Sequence, residues 1–222
     1  MIKTRAFFLK EFILTVILLV GVAGMVSAQQ IRLNAFSGYV FDDNIDTYYN
    51  PTSYFNGTIE GGYQWGIGGE YLLENTKGVE LKYLHRKANG SLEYFDNTLK
   101  NMDFDIGTNY ILLGGNNYFK TGGKVEPYAG AGFGIAILNF KDVTSGKEAN
   151  KTKFAWTVKL GTNIWISETV GIKLQADLLS AVQSVGGSLY FGTSGAGAGV
   201  STYSSMYQWG LGGGLTFKLG EK

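Results

Sequence analysis

Residues 203–219 split by parity into two unlike surfaces. One set is Tyr203, Ser205, Tyr207, Trp209, Leu211, Gly213, Leu215, Phe217 and Leu219; the other is Ser204, Met206, Gln208, Gly210, Gly212, Gly214, Thr216 and Lys218. Successive side chains of a strand point to opposite faces. The first set is therefore one apolar face with Tyr and Trp towards one end and Phe at the other, the pattern of a lipid-facing strand between aromatic girdles. The second is small or polar, as a narrow barrel interior requires.

The same alternation recurs along the chain. Phe154, Trp156, Val158, Leu160, Ile164 and Ile166 oppose Thr157, Lys159, Gly161 and Asn163; Val170, Ile172, Leu174, Ala176 and Leu178 oppose Lys173, Gln175 and Asp177. Within 63–73, Tyr63, Trp65, Ile67, Tyr71 and Leu73 oppose Gln64, Gly66, Gly68 and Glu70; within 79–83, Val79, Leu81 and Tyr83 oppose Glu80 and Lys82. Residues 31–41 set Ile31, Leu33, Tyr39 and Phe41 against Arg32 and Asn34, and 104–114 set Phe104, Ile106, Tyr110 and Leu112 against Asp105, Gly107 and Asn109. Residues 125–138 form a Gly/Ala-rich eighth segment whose faces the pattern does not assign. The expected fold is all-β: an eight-stranded antiparallel transmembrane up-and-down β-barrel. Tight turns at 74–78, 120–124 and 167–169 alternate with long polar or Gly/Ser-rich loops at 43–57, 86–102, 141–152 and 185–202. That puts short turns at a periplasmic rim and long loops outside.

The N-terminus fits export. Lys3, Arg5 and Lys10 precede an apolar run from Phe12 to Val26, closed by Ser27-Ala28. Basic start, apolar centre and small residues are the layout of a signal peptide. Residues 1–28 are therefore expected to be removed, leaving a barrel domain over 29–222. The run of about 15 residues is shorter than the roughly 20 a spanning helix needs. Without it the chain keeps 31 of 33 glycines and carries 16 Lys+Arg against 17 Asp+Glu. So much glycine disfavours helix, and the charge offers nothing to nucleic acid. The chain has no cysteine, so neither disulfides nor thiolate chemistry are available.

A soluble lipocalin-like barrel would reverse the two faces. The aromatic ends of the apolar stripe, opposite a stripe rich in glycine, favour lipid outside. Pro127-Tyr128-Ala129-Gly130-Ala131-Gly132-Phe133-Gly134 resembles the PY-x-G-x-G-x-G strand of small outer-membrane barrel families. Lys159–Asn163 with Ile172–Gln175 resembles the hairpin that follows it, and Gly214-Leu215-Thr216-Phe217 resembles the closing strand. In those families a near-terminal aromatic is read by the barrel-assembly machinery; here five residues follow Phe217. The resemblance, to barrels of the OmpA/OmpX porin-like type, implies a location in the cell outer membrane. It names no activity.

The polar stripes direct Arg32, Glu70, Glu80, Lys82, Asp105, Lys159, Lys173, Asp177 and Lys218 towards one lumen. Five cations against four anions suggest a salt-bridge network, since buried charges persist only when paired. An eight-stranded interior has room for little but side chains, so a plug is expected over an ion path. Trp65, Tyr83, Trp156, Tyr207, Trp209 and Phe217 are the expected aromatic girdle. His85, the only histidine, stands in Tyr83-Leu84-His85-Arg86-Lys87. Small barrels that act on lipid A use His with Ser and an acid. Here Ser91 and Glu93 are the nearest such residues in sequence, and a serine nucleophile needs a base within hydrogen-bond reach. The stretch 85–87 suits headgroup level, where basic side chains meet lipopolysaccharide phosphates.

Other motifs dissolve on inspection. Asp42-Asp43-Asn44-Ile45-Asp46 begins like a calcium loop, but Thr47 replaces the required glycine and Ser53 the closing glutamate. Gly130-Ala131-Gly132 lacks the later glycine of a dinucleotide fingerprint, and Gly122-Gly123-Lys124 is followed by Val125 rather than Ser or Thr. No cofactor, metal or catalytic residue is expected. The expected role is envelope structure, adhesion or lipopolysaccharide contact by a monomer. The alternatives are a narrow porin-like channel and, third, a lipid A-modifying enzyme.

Overall fold

The computed structural model describes residues 30–50, 53–74, 76–96, 98–143, 146, 148–182, 188–192, 195–199 and 206–219. The expected signal peptide lies outside them, as does much of the stretch 185–202. Twelve strands are described: β1 (Ile31–Val40), β2 (Asp43–Asn50), β3 (Ser53–Ile59), β4 (Gly62–Glu74), β5 (Lys77–Asp96), β6 (Thr98–Tyr118), β7 (Val125–Asp142), β8 (Glu148–Trp165), β9 (Val170–Val182), β10 (Ser188–Gly192), β11 (Gly195–Gly199) and β12 (Met206–Leu219).

Eight of them form a closed antiparallel ring. In order it runs β1, β4, β5, β6, β7, β8, β9 and β12, and β12 pairs back onto β1. Walking the register from Ile31 through Tyr71, Val79, Gly115, Ala131, Val158, Leu178 and Trp209 leads to Phe41, whose N–H donates to the Trp209 carbonyl. The ring thus closes with a stagger of ten residues, from 31 to 41. For eight strands spaced about 4.8 Å apart and rising about 3.3 Å per residue, that stagger tilts the strands by roughly 40° and gives a backbone radius of about 8 Å. So narrow a cylinder is filled by side chains.

Two hairpins decorate one rim. β2 pairs with β3, and β3 continues the sheet by pairing with the far end of β5, Phe55 opposite Tyr94 and Ile59 opposite Gly90. β10 and β11 form a separate hairpin. The regions 43–57, 86–102 and 141–152, expected to be loops, are largely strand. β5 and β6 reach 20 and 21 residues, against the 9–11 needed to span a bilayer. Their excess of about ten residues, tilted by roughly 40°, carries the hairpin about 25 Å beyond the membrane. The connections from β4 to β5, β6 to β7 and β8 to β9 are short, as expected, and Gly122 supplies a positive φ of 75° in the second. Glycine also permits close approach of β1 and β12: a Cβ on Gly38 would lie 2.8 Å from the Gly212 Cα.

The apolar face of these strands is outside. Leu33, Trp65, Ile67, Leu81, Leu113, Phe133, Val158, Leu160, Leu174, Trp209, Leu211 and Leu215 are all exposed, while Arg32, Glu70, Glu80, Lys82, Lys159 and Lys173 are buried. A soluble fold does not place its greasiest residues in water and its ions within. The exterior demands hydrocarbon, and the lipocalin-like alternative is excluded.

One segment departs from expectation. Phe104, Ile106, Tyr110 and Leu112 point inward and are buried, and Asp105 is exposed on the outer face. The register explains this: Leu112 pairs with Lys82, Tyr110 with Leu84 and Ile106 with Ala88, and directly opposed residues share a face. Since Lys82 faces the lumen, the even-numbered residues of β6 do too. Asp105 lies instead opposite Lys141 on the extramembrane part of the β6–β7 pair. On β6 the inward parity is apolar from Phe104 to Leu112, while the outward parity turns from polar at Asp105 to apolar at Ile111. Ile111 and Leu113 are exposed within the membrane band, and Phe104 and Ile106 join an internal cluster with Leu84, Leu138 and Phe140 above it. Ile111→Lys is expected to cost about 2–4 kcal/mol in urea unfolding from lipid vesicles, whereas Asp105→Ala should stay within about 0.5 kcal/mol.

Candidate functional site: the ionic interior

Two linked ionic clusters fill the periplasmic part of the lumen. Nearest the short turns, Arg32 donates to Glu126 through Nη1 (2.7 Å) and Nη2 (3.2 Å), a two-pronged contact. Asn163 donates to the same carboxylate at 3.0 Å. The guanidinium lies over the rings of Tyr118 and Trp165, 4.6 and 5.1 Å from their centroids. Glu70 accepts from the Tyr118 hydroxyl (2.6 Å) and from Asn116 (2.7 Å).

Further in, Glu80 is the hub. It accepts from the Lys159 ammonium and from Asn34 at 2.8 Å, with Lys82 at 4.0 Å. Lys82 sits 4.0 Å over the Phe36 ring and Lys173 4.6 Å over Tyr128. Tyr128 donates to Gln175 (2.7 Å), whose amide donates to Asp177 (2.5 Å). Glu80 is only 1% exposed. At that depth each charge survives through its partners, because desolvation alone costs several kcal/mol per ion. Across this region Arg32, Lys82, Lys159 and Lys173 match Glu70, Glu80, Glu126 and Asp177 in number, although Lys173 Nζ has no hydrogen-bond partner among the described residues. A cavity of about 20 Å³ remains between Gln64, Gln175 and Asp177 and the glycines Gly38, Gly210 and Gly212.

Eight of the nine residues expected in the lumen point inward. Lys218 is among them, but at the periplasmic mouth, half-exposed and 4.3 Å over Trp165. Asp105 is the exception already described. Glu126, Tyr118 and Tyr128 were not among the expected residues, because the faces of 125–138 were unassigned and 118 lay beyond the expected strand. The signal was there: Gly130, Gly132 and Gly134 form the smaller face, which places Tyr128 and Glu126 inside with them. Arg86, expected at headgroup level, is instead buried in the lumen.

The six girdle aromatics all lie on the outer face. Trp65 packs edge-on to Tyr83 (6.1 Å) and Trp156 to Tyr207 (6.1 Å), while Phe217 stands near the periplasmic end, opposite Leu33 and Val170. His85 shares this belt, tilted against Trp65 at 5.5 Å. Asn109 Oδ1 accepts from both the Tyr83 hydroxyl and His85 Nδ1, each at 2.8 Å. An oxygen acceptor there puts the imidazole proton on Nδ1. The group behind His85 is thus a neutral amide, where a catalytic base usually has a carboxylate to stabilise its charged form.

No protein-family model matches the chain, and no curated protein matches it. Among solved structures it resembles the outer membrane protein OprG from Pseudomonas aeruginosa, with TM-score 0.55 and 13% identity over 88% of this chain and 98% of that one. It also resembles Neisserial surface protein A (NspA), with TM-score 0.53 and 14% identity over 87% and 98%. The fold is that of a small outer-membrane β-barrel. At such identities the likeness concerns architecture, and the chemistry rests on the side chains above.

Removing the hub should test how far the interior depends on it. Glu80→Ala strands Lys159 and Lys82 without their shared carboxylate and is expected to destabilise the barrel by about 3–5 kcal/mol in urea titrations. A loss below 1 kcal/mol would mean that water or other residues supply the counter-charge.

Proposed function

We propose that this barrel is a non-catalytic, non-conducting envelope protein that carries extended strands above the outer membrane and contacts lipopolysaccharide at its rim. The observation that carries this reading is the Glu80 hub. A carboxylate bonded to Lys159 and Asn34, flanked by Lys82, Lys173 and the ring of Phe36, blocks the axis where a solute would pass. Opening that path would separate buried charges with no water to receive them. A narrow porin-like channel is the less favoured reading for that reason.

The rim supports the second part. On the outer face of β5, apolar Val79 and Leu81 give way to Tyr83, then His85, then exposed Lys87. That sequence of hydrocarbon, aromatic and basic side chains follows the profile of a bilayer boundary, and its basic end suits phosphate-bearing headgroups. Above it, β2, β3 and the ends of β5 and β6 form a continuous sheet that offers a surface for envelope structure or adhesion. The protein works as a monomer, inserted by the barrel-assembly machinery.

Planar-bilayer recordings test the closed lumen. The refolded protein is expected to give no stable unitary steps at low salt. Steady single-channel conductance that vanishes in Lys159→Ala would overturn the reading. For catalysis, lipid A from cells expressing the chain or its His85→Ala variant should have one and the same mass profile.

A further inference from the structure

Arg86 is a buried charge without a bonded partner. The residue is 1% exposed and all three of its guanidinium nitrogens lack a hydrogen-bond partner among the described residues. Its cross-strand neighbours are Gln64 on β4 and Thr108 on β6. Both are buried and inward-facing, and Gln64 Oε1 and Thr108 Oγ1 are likewise unpartnered. Two residues along β6 the Tyr110 hydroxyl is buried in the same condition. The carboxylate that faces Arg86 belongs to Asp43 at the head of β2. It makes no hydrogen bond to the guanidinium, and its Oδ2 accepts from the Tyr207 N–H at 3.1 Å.

We propose that Arg86, with Thr108, Tyr110 and Gln64, forms a buried site in the extracellular half of the lumen for one small monoanion, of the size of chloride or formate. A guanidinium cannot shed its proton, so a buried one needs a negative partner. The planar fork can hold such an anion by two N–H groups. The hydroxyls of Thr108 and Tyr110 can donate to the same ion. Gln64 Oε1, an acceptor, would take a guanidinium N–H and so orient the fork. Leu84 and Ala88, its neighbours on the inward face of β5, are buried as well, and such burial strengthens attraction between ion and fork. The site is independent of whether the barrel displays strands or conducts.

The test uses the whole chain refolded in micelles, with gluconate, a far larger anion, replaced by chloride or formate at constant ionic strength. The unfolding midpoint should rise saturably by about 4 °C, and Arg86→Met should abolish the rise. In the unaltered protein, the Arg86 Nε–Hε resonance of a ¹⁵N-labelled sample should shift along the same saturation curve, a readout that survives if the variant does not fold. An immobile resonance, or an equal rise in Arg86→Met, overturns the proposal. So does an anion effect seen only after Asp43→Asn, which would make Asp43 the resident counter-ion.

Discussion

Closure of β12 onto β1 is the constraint on which the rest depends. A strand in an open sheet could slip by one residue and exchange its faces. In a ring with a ten-residue stagger every strand is held on both sides, so the inside and outside of each follow from its neighbours. The hydrogen bonds that close the ring also leave no free edge within the membrane, where an unpaired backbone group costs several kcal/mol.

Given that closure, polarity has to suit two solvents along one strand. At membrane depth the outside is hydrocarbon, so apolar residues go out and the lumen takes Arg32, Glu70, Glu80 and their partners. Above it the outside is water, and the pattern reverses. Phe104, Ile106, Leu138 and Phe140 turn inward to form a conventional core, while Asp105, Asn139 and Lys141 face out. The ring holds backbone parity constant as the chemistry of the faces swaps. Arg86 sits near this changeover, between the ionic filling and the apolar cluster, and the strands of neither region provide it with a bonded carboxylate.

That reversal also explains what was legible in the sequence. Segments confined to the membrane band, such as 154–166 and 170–178, alternate with one phase, and their faces follow directly. In 104–114 two phases meet, and the runs Phe104–Ile106 and Ile111–Leu113 have opposite parity. A single phase fitted across both puts Asp105 on the wrong side. The long loops became strands for a related reason: above the membrane the outward face is polar, so their apolar residues follow the opposite phase from that of a lipid-facing strand. The pairing of Arg32 with Glu126, 94 residues apart, depends on ring geometry that no local pattern contains.

Tryptophan placement probes the inside-out arrangement most directly. Trp209 lies on the lipid face, 61% exposed, whereas Trp165 turns into the periplasmic mouth between Arg32 and Lys218. Single-tryptophan variants that keep one or the other can be refolded into vesicles whose acyl chains carry bromine. Emission from Trp209 should be strongly quenched and that from Trp165 should not. Equal quenching of the two, or a protected Trp209, would contradict the arrangement.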